Sequence, residues 1–128
     1  MLESSNRDEV TSFVTLDGST IRELARTPSQ SLAEATVPAG RATIEHRHRT
    51  SEEIYYFLAG RGRLRLGGAE RDVAAGDCAV IAPGTAHKLW AGSSGDLVLL
   101  CACSPAYRDD DTELTDPALG CAERRHPG

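Results

Sequence analysis

Long apolar runs are missing from this 128-residue chain, and none approaches the roughly 18 to 20 residues that a membrane span requires. The N-terminus, MLESSNRDEV, lacks the basic start and apolar core of a secretory signal, and neither end carries a lipidation motif. A cytoplasmic protein with no membrane partner is expected. Lysine is all but absent, since 13 of the 14 basic residues are arginine, and these are scattered along the chain. With a net charge of −5, the basic stripe of a nucleic-acid binder is missing too. A small-molecule ligand fits such a surface better.

Cysteine is sparse, at four residues. Cys101 and Cys103 stand two apart, so on a strand they point the same way and cannot bridge each other easily, while Cys121 lies in a C-terminal tail. Reduced thiols follow from that placement and from the compartment. Helical periodicity is also absent, because no stretch holds it for three turns.

What remains is one domain of ordinary composition, 40% hydrophobic and 26% charged, large enough to fold around a core without staples. Residues 1–10 are polar and aperiodic, as in a flexible N-terminus; residues 11–104 form the domain; residues 105–128, rich in Pro and Asp, form a tail that lies over it or is disordered. Within the domain, short runs of period two alternate with Gly, Pro, Asp and Ser. The strands expected are 13–16, 31–37, 43–48, 53–58, 62–66, 70–73, 78–81, 87–91 and 97–103. Only 20–26 reads as a helical turn. An all-β sandwich or barrel is the fold class.

Three of the four histidines gather with a carboxylate. His46 and His48 share a strand face, and Thr50-Ser51-Glu52 reads as a hairpin turn that brings a glutamate back opposite them at cross-strand distance. Local pattern leaves Glu52 and Glu53 both open, since the returning strand is apolar on both faces. His87 lies downstream. Imidazoles with a carboxylate make good donors for one divalent transition metal, Fe, Mn, Ni, Cu or Zn.

The spacing Gly40-x5-His46-x-His48-x4-Glu53-x6-Gly60 resembles the first signature motif of the cupin superfamily without a mismatch, within residues 40–60. Residues 76–91 resemble the second, with Gly76, Gly84 and His87 in register, but with Ala82 and Ala91 where that motif has proline and asparagine. The resemblance implies a double-stranded β-helix, or jelly-roll barrel, with metal ligands His46, His48, Glu53 and His87. It thereby assigns the carboxylate role to Glu53. Neither departure falls on a ligand.

Strand alternation then turns Tyr55 and Phe57 inward beside Glu53, and Leu89 beside His87. Tyr55 is the candidate catalytic proton partner; Phe57, Leu89 and Cys101 are candidate substrate contacts, with Arg22 and Glu34 as charged candidates upstream. The Glu52-Glu53-Ile54-Tyr55-Tyr56 strand and the Cys103-Ser104-Pro105-Ala106-Tyr107 turn are similar to those of small cupins described as mannose-6-phosphate-isomerase-like or oxalate-binding. Such a resemblance implies a metal-dependent enzyme on a small oxygenated or carboxylate-bearing molecule, of dioxygenase, decarboxylase, isomerase, cyclase or lyase type. The alternative is a binding module without turnover. Apolar reverse faces at Ile54, Tyr56 and Leu58 further imply a homodimer.

Overall fold

The computed structural model describes residues 3–116. Their order is a 3-10 turn at Arg7–Glu9, then β1 (Phe13–Val14), β2 (Thr20–Arg26), β3 (Ser31–Val37), β4 (His46–His48), β5 (Glu52–Ala59), β6 (Arg61–Leu66), β7 (Ala69–Ala74), β8 (Cys78–Ile81), β9 (His87–Ala91), β10 (Leu97–Ser104), a second 3-10 turn at Asp109–Asp111, and β11 (Thr112–Leu114). The strands form two antiparallel sheets, β1-β2-β3-β10-β5-β8 and β11-β4-β9-β6-β7. This is the double-stranded jelly roll expected. No helix among the described residues is long and apolar enough to cross a membrane.

Alternation builds the interior. Along β5, Glu53, Tyr55 and Phe57 are buried while Glu52, Ile54, Tyr56 and Leu58 are exposed. Phe57, Leu64, Ile81, Leu97, Leu99 and Val37 fill the space between the sheets with side chains that have no polar atoms. The motif glycines serve the turns. Gly60 adopts φ +88, and a Cβ there would collide with the Asp96 carbonyl oxygen, so only glycine joins β5 to β6 at this approach. Gly84, at φ +82, donates its N–H to the His48 carbonyl at 2.7 Å and ties the second motif to the first.

Two expectations change. Residues 20–26 are a strand, not a helical turn: Thr-Ile-Arg-Glu-Leu-Ala-Arg is rich in helix formers, but β2 pairs with β1 on one side and β3 on the other, and that pairing outweighs local propensity. Residues 46–48 and 52–59 do not form a hairpin, because β4 and β5 belong to different sheets and the 49–51 link is a corner between them. The region from 105, as far as it is described, takes the first of the two arrangements expected for it and lies over the domain. Asp111 accepts from Thr50 and Ser51, and β11 pairs with β4. Residues 117–128, Cys121 among them, fall outside the described part. At the other end, Arg7 meets Glu34 at 2.6 Å, fastening the expected flexible segment to β3.

Candidate metal centre

β4 and β9 meet at a single register pair, His46 opposite His87, and His48 follows two residues on with its side chain on the same face. All three imidazoles are buried, and one ring nitrogen of each lies within 4.8 Å of the others, a cluster that could hold a metal ion. Glu53 arrives from the opposite sheet. Its Oε1 stands 3.2 Å from His48 Nε2 and 3.4 Å from His87 Nε2. The carboxylate thus meets the histidines across the barrel interior, and not across a hairpin.

Proton positions follow from the partners of the outer nitrogens. His46 Nδ1 donates to the Ile44 carbonyl at 2.8 Å and His87 Nδ1 to the Thr85 carbonyl at 2.9 Å, since a carbonyl can only accept. His48 Nδ1 contacts Thr112 Oγ1 at 2.9 Å, and that hydroxyl gives its one proton to the Arg108 carbonyl, so it accepts from His48. In its neutral form each ring therefore turns a bare Nε2 lone pair inward. Glu53 Oε1 and His87 Nε2 are buried with no hydrogen-bond partner. Electron-rich atoms facing one another in a dry site attract a positive charge, a proton or a metal ion, and the donor set fits a divalent transition metal.

Burial by itself would raise the Glu53 carboxyl, but His48 and His87 outweigh it and hold the group well below the usual carboxylate range. Burial lowers His46, with Asp17 and Glu53 only partly offsetting it; at His48 burial acts the same way, but Glu53 overcomes it and the imidazole is raised. Cys103, paired with Glu53 across β10 and β5, donates its thiol to Glu53 Oε2 at 3.3 Å. Burial and then the Glu53 charge push that thiol up, and Cys101 likewise, so both stay protonated. They are packing groups and donors, not nucleophiles. Cys78, Cys101 and Cys103 are free thiols, as expected.

A cavity of about 50 Å³ opens on this centre. Tyr55, Leu89 and Cys101 line it, as expected from alternation. Tyr55 is fully enclosed, with its ring edge-on to His87 at 5.9 Å, and burial followed by the Glu53 charge raises its phenol far above the ordinary value. Phe57 instead belongs to the core and borders a separate cavity of about 290 Å³. Arg22 and Glu34 face each other in the β2–β3 register and neither lines the cavity; Glu34 is taken up by Arg7. Their assignment to substrate is corrected, because strand parity turns them to the outer side of the sheet.

Sequence reasoning missed Asp17, Cys103 as the Glu53 partner, Thr112 and Tyr107. Asp17 lines the cavity with Oδ2 3.5 Å from His46 Nε2. Burial would raise its carboxyl, but His46, Thr15 and Ser19 hold it low. In the sequence it sits in Leu-Asp-Gly-Ser, which reads only as a turn. Tyr107 stacks edge-on to His48 at 5.6 Å and donates to Asp109 at 2.8 Å.

The family model described as the Cupin domain, Cupin_2, matches residues 33–103, which include all four expected ligands. This chain is a cupin. It is 43% identical, over 114 residues, to the uncharacterized protein MJ1618 of Methanocaldococcus jannaschii, covering 85% of the cupin and 91% of that relative. Among solved structures, it is similar to KdgF from Halomonas sp., with a TM-score of 0.75 and 24% identity over 86% of this chain and 98% of that one. It is also similar to the nucleoside dehydratase Pac13 of Streptomyces, with a TM-score of 0.72 and 19% identity over 90% of this cupin and 91% of Pac13. At such identities the two structures share its fold, and no more is carried by the likeness.

Proposed function

We infer that the protein is a metal-dependent enzyme that acts on a small oxygenated molecule by acid–base chemistry of the lyase, cyclase or isomerase kind. The observation that carries this reading is the inward convergence of three Nε2 atoms and Glu53 Oε1, with Glu53 Oε1 and His87 Nε2 buried and without a hydrogen-bond partner. His46, His48, Glu53 and His87 would hold a divalent ion, which would supply Lewis acidity for a carbonyl or hydroxyl oxygen.

The chain's own groups do the rest. Cys103 keeps Glu53 oriented through Oε2, Thr112 and the Ile44 and Thr85 carbonyls fix the three ring planes, and Ile21, Val37 and Leu89 give the cavity apolar walls. Tyr55 holds its proton at Oη because burial and Glu53 disfavour phenolate, which suits it to donate to a substrate oxygen and not to act as a base. A fold neighbour that removes water from a nucleoside makes elimination a natural first assay.

Metal analysis by mass spectrometry tests the reading. About one transition-metal ion per chain is expected in the purified protein, and His87→Ala, still folded by circular dichroism, is expected to lose it. A folded wild-type protein that takes up none of Fe(II), Mn(II), Ni(II), Cu(II) or Zn(II) would overturn it.

A further inference from the structure

We propose that Asp17 is a second carboxylate of the metal centre, giving Oδ2 to the same ion as His46, His48, Glu53 and His87, and that the centre so balanced takes an uncharged, oxygen-bearing ligand in preference to an anion. This rests on the metal-dependent reading above.

Asp17 occupies a tight turn between β1 and β2, closed by the Gly18 N–H on the Thr15 carbonyl at 3.0 Å. The Asp17 carbonyl accepts from the Ile44 N–H at 2.8 Å, and the Ile44 carbonyl is the one that orients His46. One loop residue therefore sets both side chains. At the carboxylate, Oδ1 accepts from Thr15 Oγ1 at 2.7 Å, Ser19 N at 3.0 Å and Ser19 Oγ at 2.7 Å. Those three bonds satisfy everything the turn needs. Oδ2 takes no part in them and is aimed at the bare Nε2 of His46, 3.5 Å away, with the Asp17 side chain only 12% exposed.

Two electron-rich atoms held at that distance repel unless a positive charge lies between them, and the His46 proton is already committed at Nδ1. The separation also matches those that Glu53 Oε1 makes with its two histidines, 3.2 and 3.4 Å. Adjacent donors on one ion, each about 2.0 to 2.2 Å from it, stand roughly 2.8 to 3.6 Å apart. Asp17 Oδ2 thus approaches His46 at a donor–donor distance, as Glu53 Oε1 approaches His48 and His87.

Charge carries the ligand class. Two carboxylates balance a divalent ion, no Lys or Arg lines the cavity, and Glu23 at its wall is neutralised by Arg26 at 3.1 Å. An anion entering there would meet no compensating cation, whereas a hydroxyl or carbonyl oxygen would lose little. Asp17 also lies outside residues 33–103, so this carboxylate is a property of the chain's own N-terminal hairpin.

Asp17→Asn keeps an oxygen for the Thr15 and Ser19 donors and removes the anionic Oδ2. With folding checked by thermal unfolding, Zn(II) and Ni(II) affinities by chelator competition are expected to fall at least tenfold relative to wild type. In Mn(II)-loaded protein, water proton relaxation is expected to report one more exchangeable water in the variant. Azide is expected to bind the metallated variant at least tenfold more tightly than metallated wild type, because the variant centre carries one more positive charge. Affinity within twofold of wild type and an unchanged azide constant would overturn the proposal and leave the metal reading standing, provided His87→Ala still loses the ion. A folded wild-type protein that binds no metal would overturn both.

Discussion

What each buried polar atom has for a partner decides what the residue can do in this protein. Glu53 Oε1 and His87 Nε2 have none and are free to donate to a metal ion, while Cys103, Thr112 and the Ile44 carbonyl are satisfied and therefore hold other groups in place. Asp111 belongs to the second kind. Its Oδ1 accepts from Thr50 N and Thr50 Oγ1 at 2.9 and 2.8 Å, and its Oδ2 from Ser51 N at 3.1 Å, so it closes the corner between the sheets. Burial would raise this carboxyl, but the Thr50 and Ser51 donors lower it. The folded value then lies below the unfolded one, about 3.9, so the stabilisation is complete above that pH and is lost as pH falls through the folded value. Asp111→Ala is expected to cost about 2 to 3 kcal/mol in urea unfolding at pH 7, the difference from wild type shrinking below about pH 4. The four expected ligands were legible as residues because their spacing is specific. Asp17 was not, because an aspartate before glycine in a turn needs no further explanation.

Elements that look peripheral in the sequence supply much of the site. β11 pairs with β4 through Thr112 opposite His48, and the Thr112 hydroxyl fixes the His48 tautomer. Thr112→Val keeps a β-branched side chain of similar size but removes that acceptor. Metal affinity is expected to fall about 10- to 100-fold with little loss of thermal stability, measured by chelator competition and calorimetry. Strand β5 was legible as an alternating strand, but both of its faces are apolar, and only the resemblance to the first cupin motif turned Glu53, Tyr55 and Phe57 inward. Strand β2 was not, because its two neighbours come from distant segments and their hydrogen bonds override the helix formers within it. The 49–51 link was misread for a similar reason. A short polar segment between two strands is compatible with a hairpin or a corner, and only sheet membership separates them.

Over the whole molecule, the outer face of the larger sheet leaves Ile54, Tyr56, Leu58 and Val80 in solvent, Val80 at 61% and Tyr56 at 44% exposure. These lie on the neighbouring strands β5 and β8, where Ile54 is directly paired with Val80. We expect this patch to be covered by a second copy of the chain. Sedimentation equilibrium at micromolar concentration is expected to give twice the monomer mass, and Val80→Glu together with Tyr56→Glu to return it to the monomer; a wild-type monomer would refute the expectation. The fold class, the strand periodicity and the four residues that converge on the centre were legible in the sequence, since alternation and the resemblance to the motif spacing are read along the chain. Tertiary structure decided which sheet each ligand comes from, that Arg22 and Glu34 stay outside, and that Asp17 comes within 3.5 Å of His46. Those relations depend on where the β1–β2 hairpin and β11 dock against the barrel, and docking is set by contacts between segments remote from one another in the chain.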